Sequence, residues 1–135
     1  MGLLGCSLIQ SQLHWEDKNA NLQMFEQKIN SITTQTHVVI LPEMFSTGFS
    51  MQPEKFAEKM DGSTVEWMKK IASSKKIILT GSIIIEEEQN YFNRLLLDCL
   101  LPLTLLMRAM AAIVCLLCSK VASLKYGMEA PYQTL

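Results

Sequence analysis

The sequence has 135 residues, with twelve basic and thirteen acidic side chains and a formal net charge of −1. That length suits one domain, or part of one, with a real core. The balanced charge excludes the electrostatic footprint of a nucleic-acid binder or of a protein drawn to an anionic membrane surface.

In chain order, the opening MGLLGCSLIQSQLHWED lacks the basic start and long apolar run of a secretory leader, so a cytoplasmic protein is expected. Leu3 to Gln10 is a short, mostly apolar run without helical spacing. It reads as a strand buried on both faces inside a sheet. Asn19 or Asn21 is placed to cap a helix that carries Leu22, Phe25, Ile29 and Ile32 at intervals of three and four, one face of which should pack on the sheet. Val38 to Leu41 is a second strand, and Pro42 ends it by removing an amide donor and holding Leu41 extended.

Glu43 follows at once, where the apolar run stops. Ser63 and Glu66 have the spacing of a capping box, opening a helix whose Val65, Met68 and Ile71 face one way. Ile77 to Ile85 returns to strand, with Gly81 marking a bulge or a close approach. EEEQN is a solvated polar turn, and Tyr91 to Leu97 suits another strand. The alternation of strand and helix implies a layered α/β domain with buried parallel strands.

Near Leu95 the composition changes abruptly. Residues 1 to 94 hold 20 of the 25 charged side chains and seven leucines, while residues 95 to 135 hold five charges and twelve leucines. No polar linker separates the two parts, so two segments are expected, 1–96 and 97–135, joined without a hinge. Leu100 to Cys118 is nearly continuous apolar sequence of about bilayer span, with Pro102 near its start and Arg108 at its centre. An arginine there costs about 2.5 to 3.5 kcal/mol on insertion scales. The tail therefore reads first as a core-packed helix or an aggregation-prone segment, with membrane insertion as the competing reading.

Four cysteines, at 6, 99, 115 and 118, with no secretory leader, are expected to be free thiols. Cys115 and Cys118 form a CxxC, but no second pair or clustered histidines complete a zinc set. His14 and His37 each lack a spaced partner and read as boundary residues, and the STG around Gly48 is no phosphate loop because no GxxxxGK occurs.

In α/β folds the crevice beyond the carboxyl ends of the strands is where ligands bind, and Glu43 stands at such an end. Burial beside Met44, Phe45 and Phe49 would favour its protonated form and suit a general base, whereas a strand-ending carboxylate facing water is the alternative. At these residues the chain resembles a known family. CSLIQSQLHWEDKNANL, VVILPEMFSTGFSM, MDGSTVEWM and TGSIIIEEEQNYFNRLL, in that order and spacing, look like the N-terminal part of a carbon–nitrogen hydrolase of the nitrilase superfamily, nearest its bacterial omega-amidase branch.

The resemblance covers residues 1 to about 96. It implies part of an α-β-β-α sandwich, dimers or larger assemblies, and hydrolysis of small 2-oxo acid amides through a cysteine thioester, with a Glu–Lys–Cys triad and no metal or organic cofactor. Glu43 matches the base of that triad. The family's lysine, in a DKRH-like segment, and its nucleophile, in a CYDxRFP-like segment, have no counterpart between residues 97 and 135. Lys120, Lys125 and Cys118 stand in other contexts. The expectation is a truncated or frame-shifted member without activity of its own; the alternative is a non-catalytic association module.

Overall fold

The computed structural model describes residues 4–98, all within one compact unit. Its elements in chain order are strand β1 (Cys6–Leu8), helix α1 (Lys18–Asn30), strand β2 (Val38–Ile40), the single turn α2 (Pro53–Phe56), helix α3 (Ser63–Lys75), and strands β3 (Ile78–Glu87) and β4 (Asn90–Asp98). They form one four-stranded mixed sheet in the order β1-β2-β3-β4. The first two pairings are parallel, and β4 returns antiparallel to β3. The expected α/β class is what the chain adopts. The expectations for the tail, membrane insertion included, lie outside the described residues; among those residues no helix is long and apolar enough to cross a membrane.

The hydrophobic spacing explains which faces meet. Phe25 and Ile29 of α1 and Val65, Met68, Ile71 and Ala72 of α3 form one buried cluster with Val39 of β2 and Leu79, Ile83 and Ile85 of β3. Alternation along a strand sends these sheet residues to one face, so both helices cover the same side. Each fully buried Leu, Ile, Phe or Met contributes about 1.5–3 kcal/mol relative to exposure, which makes this layer the main source of stability.

Several local expectations are corrected. β1 is three residues long and lies at an edge of the described sheet, pairing only with β2, and Leu8 is 61% exposed because its register with Ile40 and Thr80 turns it to the face away from the helices. The cap of α1 is Asp17, whose carboxylate accepts from the Ala20 amide at 3.0 Å. Asn21 is instead fully buried inside the first turn, and Ile32 lies beyond the helix end while still packing on the core.

The capping box does not form either. Gly62 occupies the cap position of α3 without a side-chain bond, and Ser63 is already helical. An acceptor comes from outside: Glu58 Oε2 takes the Thr64 amide proton at 2.9 Å, and Glu66 pairs with exposed Lys69. Gly81 is a site of close approach and no bulge, since the β3–β4 register runs without interruption through Gly81↔Leu96. The polar turn is a two-residue hairpin in which Glu88 (φ 50°) and Gln89 (φ 63°) are both left-handed, the geometry that matches the twist of the flanking strands.

Candidate active site

The loop after β2 is built to fix backbone direction. The Leu41 amide still donates to the Thr80 carbonyl at 2.8 Å, extending the ladder one residue past β2, and Pro42 then offers no donor. Met44 adopts a left-handed conformation (φ 47°), which costs a non-glycine residue roughly 1–2 kcal/mol. The surroundings hold it there. The Met44 amide donates to Ser82 Oγ at 2.9 Å and the Phe45 amide to the Ser82 carbonyl at 3.2 Å. The Met44 carbonyl accepts from the amides of Thr47 at 3.1 Å and Gly48 at 2.7 Å.

Phe45 is the anchor of this loop. It is fully buried, meets Phe25 edge-to-face with ring centroids 5.7 Å apart, and lies 6.0 Å from the Trp67 ring. A second clamp comes from α1: Asn21 Nδ2 donates to the carbonyls of Ser46 at 2.9 Å and His14 at 2.8 Å, while its Oδ1 accepts the His14 amide at 2.8 Å. The Glu16 amide donates to the Thr47 carbonyl at 2.9 Å, and Ser50 Oγ donates to Glu16 Oε1 at 2.7 Å.

Glu43 is therefore an exposed side chain on a pinned turn. The burial expected beside Met44, Phe45 and Phe49 is not found among the described residues. Met44 and Phe45 are buried, but the left-handed turn sends Phe45 into the helical layer and leaves the glutamate on the open side, with Phe49 58% exposed. Its Oε1 accepts a hydrogen bond from Asn93 Nδ2 at 2.7 Å, across fifty positions of sequence. Asn93 stands opposite Ile84 in the register and Ser82 opposite Leu95. Directly paired residues share a face, so Ser82 and Asn93 lie together on the side of the hairpin away from Leu79, Ile83 and Ile85.

The remaining candidates are structural. His37 Nδ1 accepts the Gly5 amide at 3.0 Å, and the His14 backbone is held by Asn21, so both histidines secure chain crossings. Cys6 is a free thiol, and partial desolvation pushes its pKa up. It begins β1 opposite Val38, four strand steps of about 3.3 Å before Pro42, hence on the order of 10 Å from the glutamate's end of the sheet. Gln10, Ser11, Gln12 and Pro42 line an open groove beside the turn. Ser82 and Asn93 were not singled out from sequence, and Asn21 was read only as a helix cap. Their signal was a polar residue interrupting an apolar strand, in TGSIII and YFNRLLL, and an asparagine on the packed face of α1.

Comparison with known proteins gives a consistent result. The family model described as carbon–nitrogen hydrolase matches residues 6–98. The chain is 35% identical over 94 residues to omega-amidase YafV of Escherichia coli, covering 70% of the chain and 36% of that relative. It is 33% identical over 97 residues to omega-amidase YafV of Yersinia enterocolitica, covering 72% and 37%. Among solved structures, XC1258 of Xanthomonas campestris, a CN-hydrolase superfamily protein, superposes with a TM-score of 0.69 at 37% identity, over 73% of this chain and 37% of that one. Saccharomyces cerevisiae Nit3, a nitrilase superfamily member, gives 0.62 at 27% identity, over 71% and 40%. The chain thus spans little more than a third of the length of the curated relatives it matches.

Proposed function

We propose, from the premise that this chain belongs to the carbon–nitrogen hydrolase family, that residues 1–96 carry the general-base part of an amidase site and that Glu43 is the base. The observation that supports this most directly is the exposed Glu43 carboxylate at the carboxyl end of β2, on a turn whose two following amides are fixed by Ser82. A base needs a defined position and access to its proton donor, and this arrangement supplies both.

In a complete site of this kind, the glutamate takes the proton of a cysteine thiol and the thiolate adds to the amide carbonyl. A lysine and a backbone amide stabilise the oxyanion. Collapse of the tetrahedral adduct breaks the C–N bond, with the glutamate returning the proton to the leaving ammonia. A water then gives its proton to the glutamate as it attacks the thioester, and the thiol is released. Small 2-oxo acid amides such as 2-oxoglutaramate and 2-oxosuccinamate are the substrate class, following the likeness to omega-amidases.

No counterpart to the lysine and cysteine motifs stands between residues 97 and 135, so this sequence alone supplies a base with nothing to activate. On this reading the 135-residue chain does not turn over amides by itself. Incubation of the purified chain with 2-oxosuccinamate should release no ammonia above the buffer blank. Release abolished by Glu43→Ala would show that the chain does encode working partners. Release that survives Glu43→Ala would remove this residue from the chemistry. A second reading, a non-catalytic association module, is favoured by the exposed apolar side chains Leu8, Tyr91 and Leu95 on the sheet; concentration-dependent self-association without turnover would support it.

A further inference from the structure

The carboxylate of Glu43 is held by a residue from a strand that follows it by fifty positions, and that contact has a direction. Asn93 Nδ2 lies 2.7 Å from Glu43 Oε1. The amide must present its NH₂ there, because its oxygen facing a carboxylate would set two acceptors together. An amide donor orients a carboxylate without adding a positive charge. The neighbouring cation does not compete for the site: Arg94 is bound to Glu87 and its guanidinium stands 5.7 Å from the Phe92 ring. Alternation along β4 also places Arg94 on the face opposite Asn93.

The backbone beneath the glutamate is fixed from the same hairpin, by Ser82 Oγ on the Met44 amide. Ser82 and Asn93 are two paired positions apart along the β3–β4 ladder, with Ser82↔Leu95 and Ile84↔Asn93 on one face. One rigid hairpin thus sets both the turn that carries Glu43 and the rotamer of its side chain.

We infer that Asn93 is a positioning residue for Glu43: its side-chain amide anchors Oε1, fixes the glutamate rotamer and leaves Oε2 to exchange the proton. This rests on Glu43 being the base of the site. The hairpin also makes the position of the carboxylate depend on strand register, so a one-residue slip of β4 would turn Asn93 to the other face and release it.

The test uses the full 135-residue chain, uniformly labelled with ¹³C and ¹⁵N, and reads side-chain order without turnover. Three-bond couplings across χ1 and χ2 of Glu43 should report one dominant rotamer in the unmodified protein. In Asn93→Ala the couplings should collapse to averaged values, and Asn93→Asp, which keeps the shape but loses the donor, should do the same. Both variants should retain cooperative unfolding, because Asn93 is exposed. A merely structural asparagine would alter stability without changing Glu43 rotamer order. Should either variant fail to fold, Glu43→Ala provides a reciprocal reading: the Asn93 side-chain amide pair should shift, while that of Asn90, bonded to the Glu88 carbonyl, stays in place. Averaged Glu43 couplings in the unmodified protein, unchanged couplings in both Asn93 variants, or an unmoved Asn93 amide in Glu43→Ala would overturn the inference. An ordered Glu43 whose carboxylate proves dispensable for amide hydrolysis once a full-length relative's C-terminal part supplies the missing lysine and cysteine would instead count against the reading of the base and leave the positioning intact.

Discussion

Gly81 lies so close beneath the Phe45 ring that a Cβ added there would stand 2.8 Å from Phe45 Cδ1 and 3.0 Å from Leu41 Cβ. Both neighbours are buried and belong to the segment that carries Glu43. Neither can retreat without moving the turn. Gly81→Ala should therefore destabilise the fold by about 1–3 kcal/mol, the usual cost of overpacking a filled core. Urea unfolding followed by circular dichroism checks this, and an unchanged midpoint would show that the ring yields freely.

Asn21 should matter more than its place in a helix suggests. It is fully buried, and its amide satisfies the Ser46 carbonyl and both backbone groups of His14. Asn21→Leu keeps the volume and strands those groups, of which the Ser46 carbonyl is least able to recover water. A loss of roughly 1–3 kcal/mol is expected. Amide hydrogen exchange should show the loop around Ser46 and Thr47 opening before the sheet does; uniform exchange across both would contradict the clamp.

Glu58 should be worth more than its ion partner. Its side chain is 8% exposed, bonds Lys18 Nζ at 2.8 Å and accepts from both the amide and the hydroxyl of Thr64 at the start of α3. Glu58→Ala leaves those Thr64 donors bare and uncaps the helix, for about 1–3 kcal/mol. Lys18→Met should cost less, because the carboxylate keeps Thr64 and Lys18 itself is 27% exposed. A larger loss for Lys18→Met in denaturant titrations would show that the charge pair, and not the helix cap, is the dominant contribution.

Cys6 should be a sluggish nucleophile. Desolvation raises its pKa, so at pH 7–8 a smaller fraction is thiolate than in an unperturbed cysteine, and the thiolate is the reactive form. Iodoacetamide labelling of the folded chain, mapped to the Cys6 peptide, should be slower than for the same peptide unfolded in urea, with the two rates converging as pH rises through the raised value. Faster labelling in the folded state would mark an activated thiol.

The framework of the site was legible in the sequence because it rests on periodicity. Phe25, Ile29, Val65, Met68 and Ile71 occupy the buried faces their spacing indicates, and Pro42 ends β2 one residue after Leu41 extends its ladder. What was not legible depends on contacts between distant positions. The cap of α3 comes from Glu58 and not from within the helix, and the exposed status of Glu43 follows from a left-handed Met44 that Ser82 stabilises from another strand. Asn93 could be noticed as a polar break in YFNRLLL, yet its partner is fixed only by the β3–β4 register.

The most direct test grafts residues 1–96 of this chain onto the remaining, C-terminal part of omega-amidase YafV of Escherichia coli, which supplies the rest of a full-length relative. Ammonia release from 2-oxosuccinamate by the folded chimera should be measurable and should fall by about 10²–10⁴-fold in Glu43→Gln, the range a general base contributes. A chimera that folds and hydrolyses the amide equally well with and without the Glu43 carboxylate would contradict the account.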